Sequence, residues 1–343
     1  MYKLFIRPLL FLLPPETVHH LVVTVLKIGF RIPFVSLVVK KCFSVKHPSL
    51  KRNLWGMEFE NPVGLAAGFD KNAGFFKELS NFGFSFIEIG TVTPKGQPGN
   101  PKPRSFRLKD DNGLINRMGF NNLGVEEAVQ KLKKRNTNFI LGGNIGKNTL
   151  TPNESAVNDY IYTFNKLYDY VDYIVVNVSC PNISDLHELQ DKDSLLDILH
   201  SLKMERTKRT VRKPILVKIS PDLNFVQIDE VIEIVKSTDI DGIVATNTTT
   251  GRYNLSIEKT QIDAIGNGGM SGLPLQERST EIIRYISEKT GGKIPIIGVG
   301  GIMTAADAIQ KLQAGATLVQ VYTGFIYEGP SIVKNINKEL IKN

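Results

Sequence analysis

Tyr173-Ile174-Val175-Val176-Asn177-Val178-Ser179-Cys180-Pro181-Asn182 starts as a β-branched run and ends in amides, hydroxyl and thiol. An apolar run of this length, closed by proline and asparagine, reads as a buried strand entering a loop. In parallel sheets, open or closed, chemistry gathers at that carboxyl end. Cys180 therefore stands where a reactive group belongs.

Seven more segments of the same kind surround it, at 63–67, 84–90, 139–144, 215–219, 242–246, 294–299 and 317–322. Helix-length stretches separate nearly all of them, among them 124–135, 155–170, 225–237, 276–289 and 305–313. Eight βα units predict a closed (β/α)8 TIM barrel rather than an open doubly wound sheet. The stretch 93–122 is rich in Gly, Pro and Arg and too long for an ordinary βα loop, so it reads as an active-site insertion. Residues 50–61 read as a small hairpin ahead of the first barrel strand.

Charge is distributed unevenly. Of 42 basic and 34 acidic side chains, nine basic and one acidic, Glu16, fall in residues 1–52; the rest of the chain holds 33 of each. The basicity belongs to a segment, which argues against a nucleic-acid surface on the barrel. That segment is also apolar, with a helix expected at 16–30 behind Pro14-Pro15. Arg7, Lys27, Arg31 and Pro33 interrupt every window approaching the roughly 20 residues that span a bilayer. Apolar helices flanked by Lys and Arg suit a monotopic anchor on an anionic leaflet, or else a helical cap on the barrel or a dimer contact. The expected division is a helical segment at 1–49 and a barrel at 50–343. Two distant cysteines, Cys42 and Cys180, suggest neither disulfides nor a metal site, and a reducing compartment.

The expected strand ends carry glycines, amides, hydroxyls and lysines. Gly300-Gly301 before a helix near Thr304, with Thr323-Gly324 one strand later, predict a phosphate cradle. Lys71 and Lys218 supply two cations to a cofactor or anionic substrate, unless Lys71 pairs with Asp70. Asn116, Asn177, Asn182 and Asn247 can read a flat heterocycle with N–H and C=O groups, or serve in turns and caps.

Several long motifs, spread over the whole chain, resemble dihydroorotate dehydrogenase. They are Asn61-Pro62 with Ala66-Ala67-Gly68-Phe69-Asp70-Lys71; Asn116-Arg117-Met118-Gly119-Phe120-Asn121-Asn122; Asn177 to Asn182; and Gly268-Gly269-Met270-Ser271-Gly272 with Pro274-Leu275. The N-terminal extension is similar to that of the class 2 enzymes, which are membrane-associated and reduce quinones; class 1 enzymes lack it. The resemblance implies one FMN per chain and oxidation of (S)-dihydroorotate to orotate in pyrimidine synthesis, with a proton leaving C5 and a hydride passing from C6 to flavin N5. By it, Ala67, Gly68, Lys71, Thr91, Asn144, Asn177, Lys218, Thr246, Gly272, Gly301, Tyr322 and Thr323 contact FMN. Lys71, Asn116, Arg117, Met118, Gly119, Phe120, Asn177, Asn182, Asn247 and Thr248 hold substrate, while His19, Arg107 and Tyr322 line a quinone tunnel. Ubiquinone or menaquinone is the implied acceptor. The implied location is the cytoplasmic face of the inner membrane, as a peripheral monomer or homodimer.

One position departs from the pattern. Class 2 enzymes usually carry serine as the catalytic base and class 1 enzymes cysteine; here the residue is Cys180. The rival readings are the same reaction with fumarate or NAD as acceptor, a tRNA-dihydrouridine synthase-like flavoenzyme, and a non-enzymatic tethered scaffold.

Overall fold

A computed structural model describes residues 1–135, 139–179, 192–253 and 255–342. Cys180 and Asn182 lie outside the described residues. Eight strands close into a barrel: β1 (Val63–Leu65), β2 (Phe86–Val92), β3 (Ile140–Ile145), β4 (Tyr173–Asn177), β5 (Ile215–Ile219), β6 (Gly242–Ala245), β7 (Ile296–Val299) and β8 (Leu318–Val321). Each pairs in parallel with its sequence neighbours, and β8 closes on β1. All eight expected strands are present, with no end moved by more than two residues.

Almost every strand residue is buried because one face points into the barrel and the other against helices. The interior holds an aromatic layer of Phe59, Phe86 and Tyr173, with Phe59 edge-on to Phe86 at 5.4 Å. Gly64 and Gly142 make room for it, since a Cβ there would stand 2.4 Å from the Phe86 ring and 2.2 Å from the Tyr173 ring. The hairpin Arg52–Leu54 and Met57–Phe59 plugs the amino-terminal end, and Trp55 donates from Nε1 to the Asp241 carbonyl at 3.0 Å. Chemistry is left with the carboxyl-terminal end.

The insertion is ordered there as two small antiparallel sheets. Gly113–Asn116 pairs with Ser105–Leu108 on one side and with Gly269–Gly272 on the other, while Lys95–Gln97 pairs with Asn122–Gly124. The expected N-terminal helix runs from Pro15 to Gly29 (α1), with Pro15 in the first turn where its missing N–H is no loss. A second helix, α2 (Val35–Phe43), follows. Val23, Leu26, Phe30, Val39 and Phe43 pack on the barrel's outer core. Leu21, Val25, Ile28, Leu37 and Val38 face outward, continuous in chain order with exposed Leu4, Phe5, Leu9 and Leu12. No single described helix is long and apolar enough to cross a membrane.

Candidate active site

A cleft opens at the carboxyl ends of the strands. At one end it is built from backbone. Gly300, Gly301 and Gly324 line it with Thr323, the residue that opens the helix Thr323–Glu328. At Gly301, with φ +71°, a Cβ would meet Gln276 Cα at 2.3 Å, so only glycine brings this turn so close to the helix Gln276–Thr290. N–H groups at a helix start have no intrahelical acceptor and suit an anion.

The other end is polar side chains. Lys218, 5% exposed at the end of β5, lines the cleft with Lys71, Thr91, Asn116, Asn177, Thr246, Asn247 and Thr248. Asn247 Nδ2 donates to Asn177 Oδ1 at 3.2 Å and to the Ser179 carbonyl at 3.0 Å. The Ser179 hydroxyl is occupied, donating to the Lys218 carbonyl at 2.8 Å. The Asp70 carboxylate accepts from the N–H groups of Gly74 and Phe75 at 2.7 and 2.8 Å, which shapes the loop after β1.

Seventeen positions expected at cofactor or substrate fall together on this cleft, and two of those described do not. Asn144 is wholly buried one layer behind the wall, where it meets Thr91 and Asn177. Arg117 turns away: it donates to the Pro103 carbonyl at 3.1 Å and to the Ile265 carbonyl, and its guanidinium covers the Phe106 ring.

Aromatic contacts join the cleft to the N-terminal helices. His19 on α1 packs edge-on to Phe69 at 5.4 Å and Phe75 at 5.7 Å, and Phe69 meets Tyr322 at 5.5 Å. Arg107 stands nearby, its guanidinium 4.4 Å over the Phe11 ring, with NH1 donating to the Leu13 carbonyl at 2.6 Å. Its Nε has no hydrogen-bond partner among the described residues. Burial, with the positive charges of Lys71 and His20, holds the His19 imidazole down at about 4. The unfolded chain, with a value of 6.5, then takes up a proton first as the pH falls. Stability from neutral His19 is complete above about 6.5 and lost between there and about 4. The melting midpoint should drop across that window, and His19→Phe should flatten the drop; an unchanged slope would refute the assignment.

Residues 49–343 match the family described as dihydroorotate dehydrogenase. A curated relative from Christiangramia forsetii, named dihydroorotate dehydrogenase (quinone), is 55% identical over 100% of this chain and 99% of its own length. The chain belongs to the dihydroorotate dehydrogenase family. A second relative of the same name, from Cellvibrio japonicus, is 47% identical over 96% of this chain and 95% of its own. The crystal structure of the Eimeria tenella dihydroorotate dehydrogenase in complex with ferulenol superposes with a TM-score of 0.86. It is 35% identical and covers 96% of this chain and 91% of that one. These relatives place the chain in the quinone-dependent class of dihydroorotate dehydrogenases, the class its N-terminal helices suggest.

Sequence reasoning missed polar residues that this dihydroorotate dehydrogenase buries around the site. Glu88 lies inside the barrel on β2 and Gln320 on β8. A lone glutamate in Phe86-Ile87-Glu88-Ile89 and a lone glutamine in Leu318-Val319-Gln320-Val321 were the available signals, since such groups must find partners. Glu16 is another: from α1 it accepts from Arg104 NH2 at 2.7 Å, and Arg104 also holds the Pro98 and Asn100 carbonyls. That ties the N-terminal segment to the insertion.

Proposed function

We propose that this cleft oxidises (S)-dihydroorotate to orotate with bound FMN, and that a quinone collects the electrons, as a step of pyrimidine synthesis. One observation carries the reading: a single cleft, glycine-built at one end and amide-lined at the other, touches the apolar N-terminal helices through Tyr322 and Phe69. The residues fit a flavin mononucleotide. The crowded Gly301 turn and the helix start at Thr323 present backbone N–H groups to its phosphate, and Lys218 sets a buried cation in the wall. Ala67, Gly68, Thr91, Thr246, Gly272 and Tyr322 complete that wall. FMN, when bound, supplies the acceptor for the hydride leaving C6.

The chain's own residues do the rest. Lys71, Asn116, Asn177, Asn247 and Thr248 direct donors at the carbonyls and carboxylate of the pyrimidine, where they stabilise negative charge as C5 loses its proton. Met118, Gly119 and Phe120 cover the substrate from the insertion. Cys180 is the base for that proton, and Asn182 completes the amide set; both roles rest on the family motif. His19 and Tyr322, joined through Phe69, border the quinone path, and Arg107, whose Nε has no partner among the described residues, is its third polar residue. Asn144 acts through Thr91 and Asn177 rather than by lining the cleft. The outward apolar faces of α1 and α2, with the excess of Lys and Arg in residues 1–52, dock the protein on an anionic leaflet at the cytoplasmic face.

The test uses the purified yellow protein without oxygen. Dihydroorotate should bleach the flavin absorbance within seconds, and a quinone should restore it faster than fumarate or NAD does. A flavin that keeps its colour in dihydroorotate would end the reading.

A further inference from the structure

The substrate-facing asparagines belong to a hydrogen-bonded series that ends deep in the barrel. Asn247 Nδ2 donates to Asn177 Oδ1 at 3.2 Å. Asn177 Nδ2 donates in turn to Thr91 Oγ1 at 3.0 Å and Asn144 Oδ1 at 3.3 Å. The Thr91 hydroxyl donates to the same Asn144 oxygen at 2.6 Å. Asn144 Nδ2 then donates to Glu88 Oε1 at 2.7 Å, and Gln320 Nε2 donates to Glu88 Oε2 at 2.8 Å. Every donation runs the same way, from the cleft toward Glu88, which is 0% exposed.

Such a series is anchored at both ends: at the cleft Asn247 Nδ2 also donates to the Ser179 carbonyl at 3.0 Å and its Oδ1 accepts from the Thr248 N–H at 2.9 Å, and in the barrel Glu88 is the terminal acceptor. An asparagine turned end for end keeps its shape but exchanges donor for acceptor. If Asn144 turned, its NH₂ would face the Asn177 NH₂, and Asn177 would have to turn as well. Asn177 and Asn247 line the cleft, so the pattern they show a ligand is held from the near end by the Ser179 and Thr248 backbone and from the far end by Glu88. We infer that Glu88 is a positioning residue: by accepting from Asn144 it fixes that amide with its oxygen toward Asn177 and Thr91, and so supports the donor–acceptor pattern that reads the pyrimidine. The inference rests on the function proposed above.

Two variants of Glu88 separate polarity from charge and from packing. Glu88→Met removes the acceptor and leaves Asn144 and Gln320 as unpaired buried donors. Glu88→Gln keeps one acceptor for Asn144, and its own NH₂ is taken by Gln320 once that amide turns. Turning costs no existing bond to Gln320 Oε1, which has no partner among the described residues. Orotate is titrated into each FMN-loaded protein and followed by the flavin absorbance. Glu88→Met should bind orotate at least about tenfold more weakly than the parent, and Glu88→Gln within about threefold. Parent-like affinity in Glu88→Met overturns the proposal. So does a Glu88→Gln variant as poor as Glu88→Met, which would make charge the cause. If Glu88→Met comes out without FMN, reloading with added FMN is compared instead: Glu88→Gln should reload like the parent, and its failure overturns the proposal. If Glu88→Met does not fold, Glu88→Gln carries the test, and a tenfold loss of orotate affinity sinks it. A parent that neither bleaches with dihydroorotate nor binds orotate refutes the proposed function instead.

Discussion

Cys180→Ala should slow flavin reduction by dihydroorotate about 10²- to 10⁴-fold in a single turnover, the range for loss of a general base. FMN should stay bound, because the glycine cradle at Gly300 and Gly301 lies on other loops. The neighbouring serine cannot take over the base's part without breaking a contact, since its hydroxyl donates to the Lys218 carbonyl. Cys180→Ser should keep part of the rate and change its pH dependence. A free thiol ionises near pH ~8.5, far below an alcohol, so with cysteine the rate should rise with pH and level off about there. With serine the rise should continue above that point. Unchanged single-turnover reduction in Cys180→Ala would remove Cys180 from the mechanism.

The second large effect is expected on deleting residues 1–45. Quinone-dependent turnover should fall at least about 100-fold, a loss of roughly 3 kcal/mol at the acceptor step. Flavin reduction by dihydroorotate should survive within about tenfold, because the strands that carry the cleft start at Val63. The deletion removes His19 from Phe69 and Phe75, Phe11 from Arg107, and Glu16 from Arg104. The last of these bounds the surviving rate, since Arg104 is 7% exposed and shapes the insertion that carries Asn116 to Phe120. Quinone turnover unaffected by the deletion would move the acceptor path elsewhere.

Much of the barrel and its cleft was legible because the signals are local. A strand buried on both faces is an apolar run whatever its partners, and eight such runs spaced by helix-length stretches leave few closed topologies. The cleft followed, because residues just past each run must collect at one end. Asn144 and Arg117 show the limit. Both were expected at the site, Arg117 from its motif and Asn144 from the family resemblance, yet Asn144 lies behind the wall and Arg117 bends to the Pro103 and Ile265 carbonyls. Whether a residue at a strand end faces in, out or sideways depends on neighbours far away in the chain.

By itself, then, the sequence determined the barrel, the end that carries chemistry and the charged apolar segment before it. Tertiary structure alone decided that His19 meets Phe69, that Glu16 holds Arg104, and that Glu88 stands beneath the asparagines. The physical reason is separation. Periodicity and turn chemistry act over a few residues and leave a pattern in the chain. A hydrogen bond between Glu88 and Gln320, on strands at opposite ends of the chain, leaves only two isolated polar residues in apolar runs. The closing of the barrel brings them together.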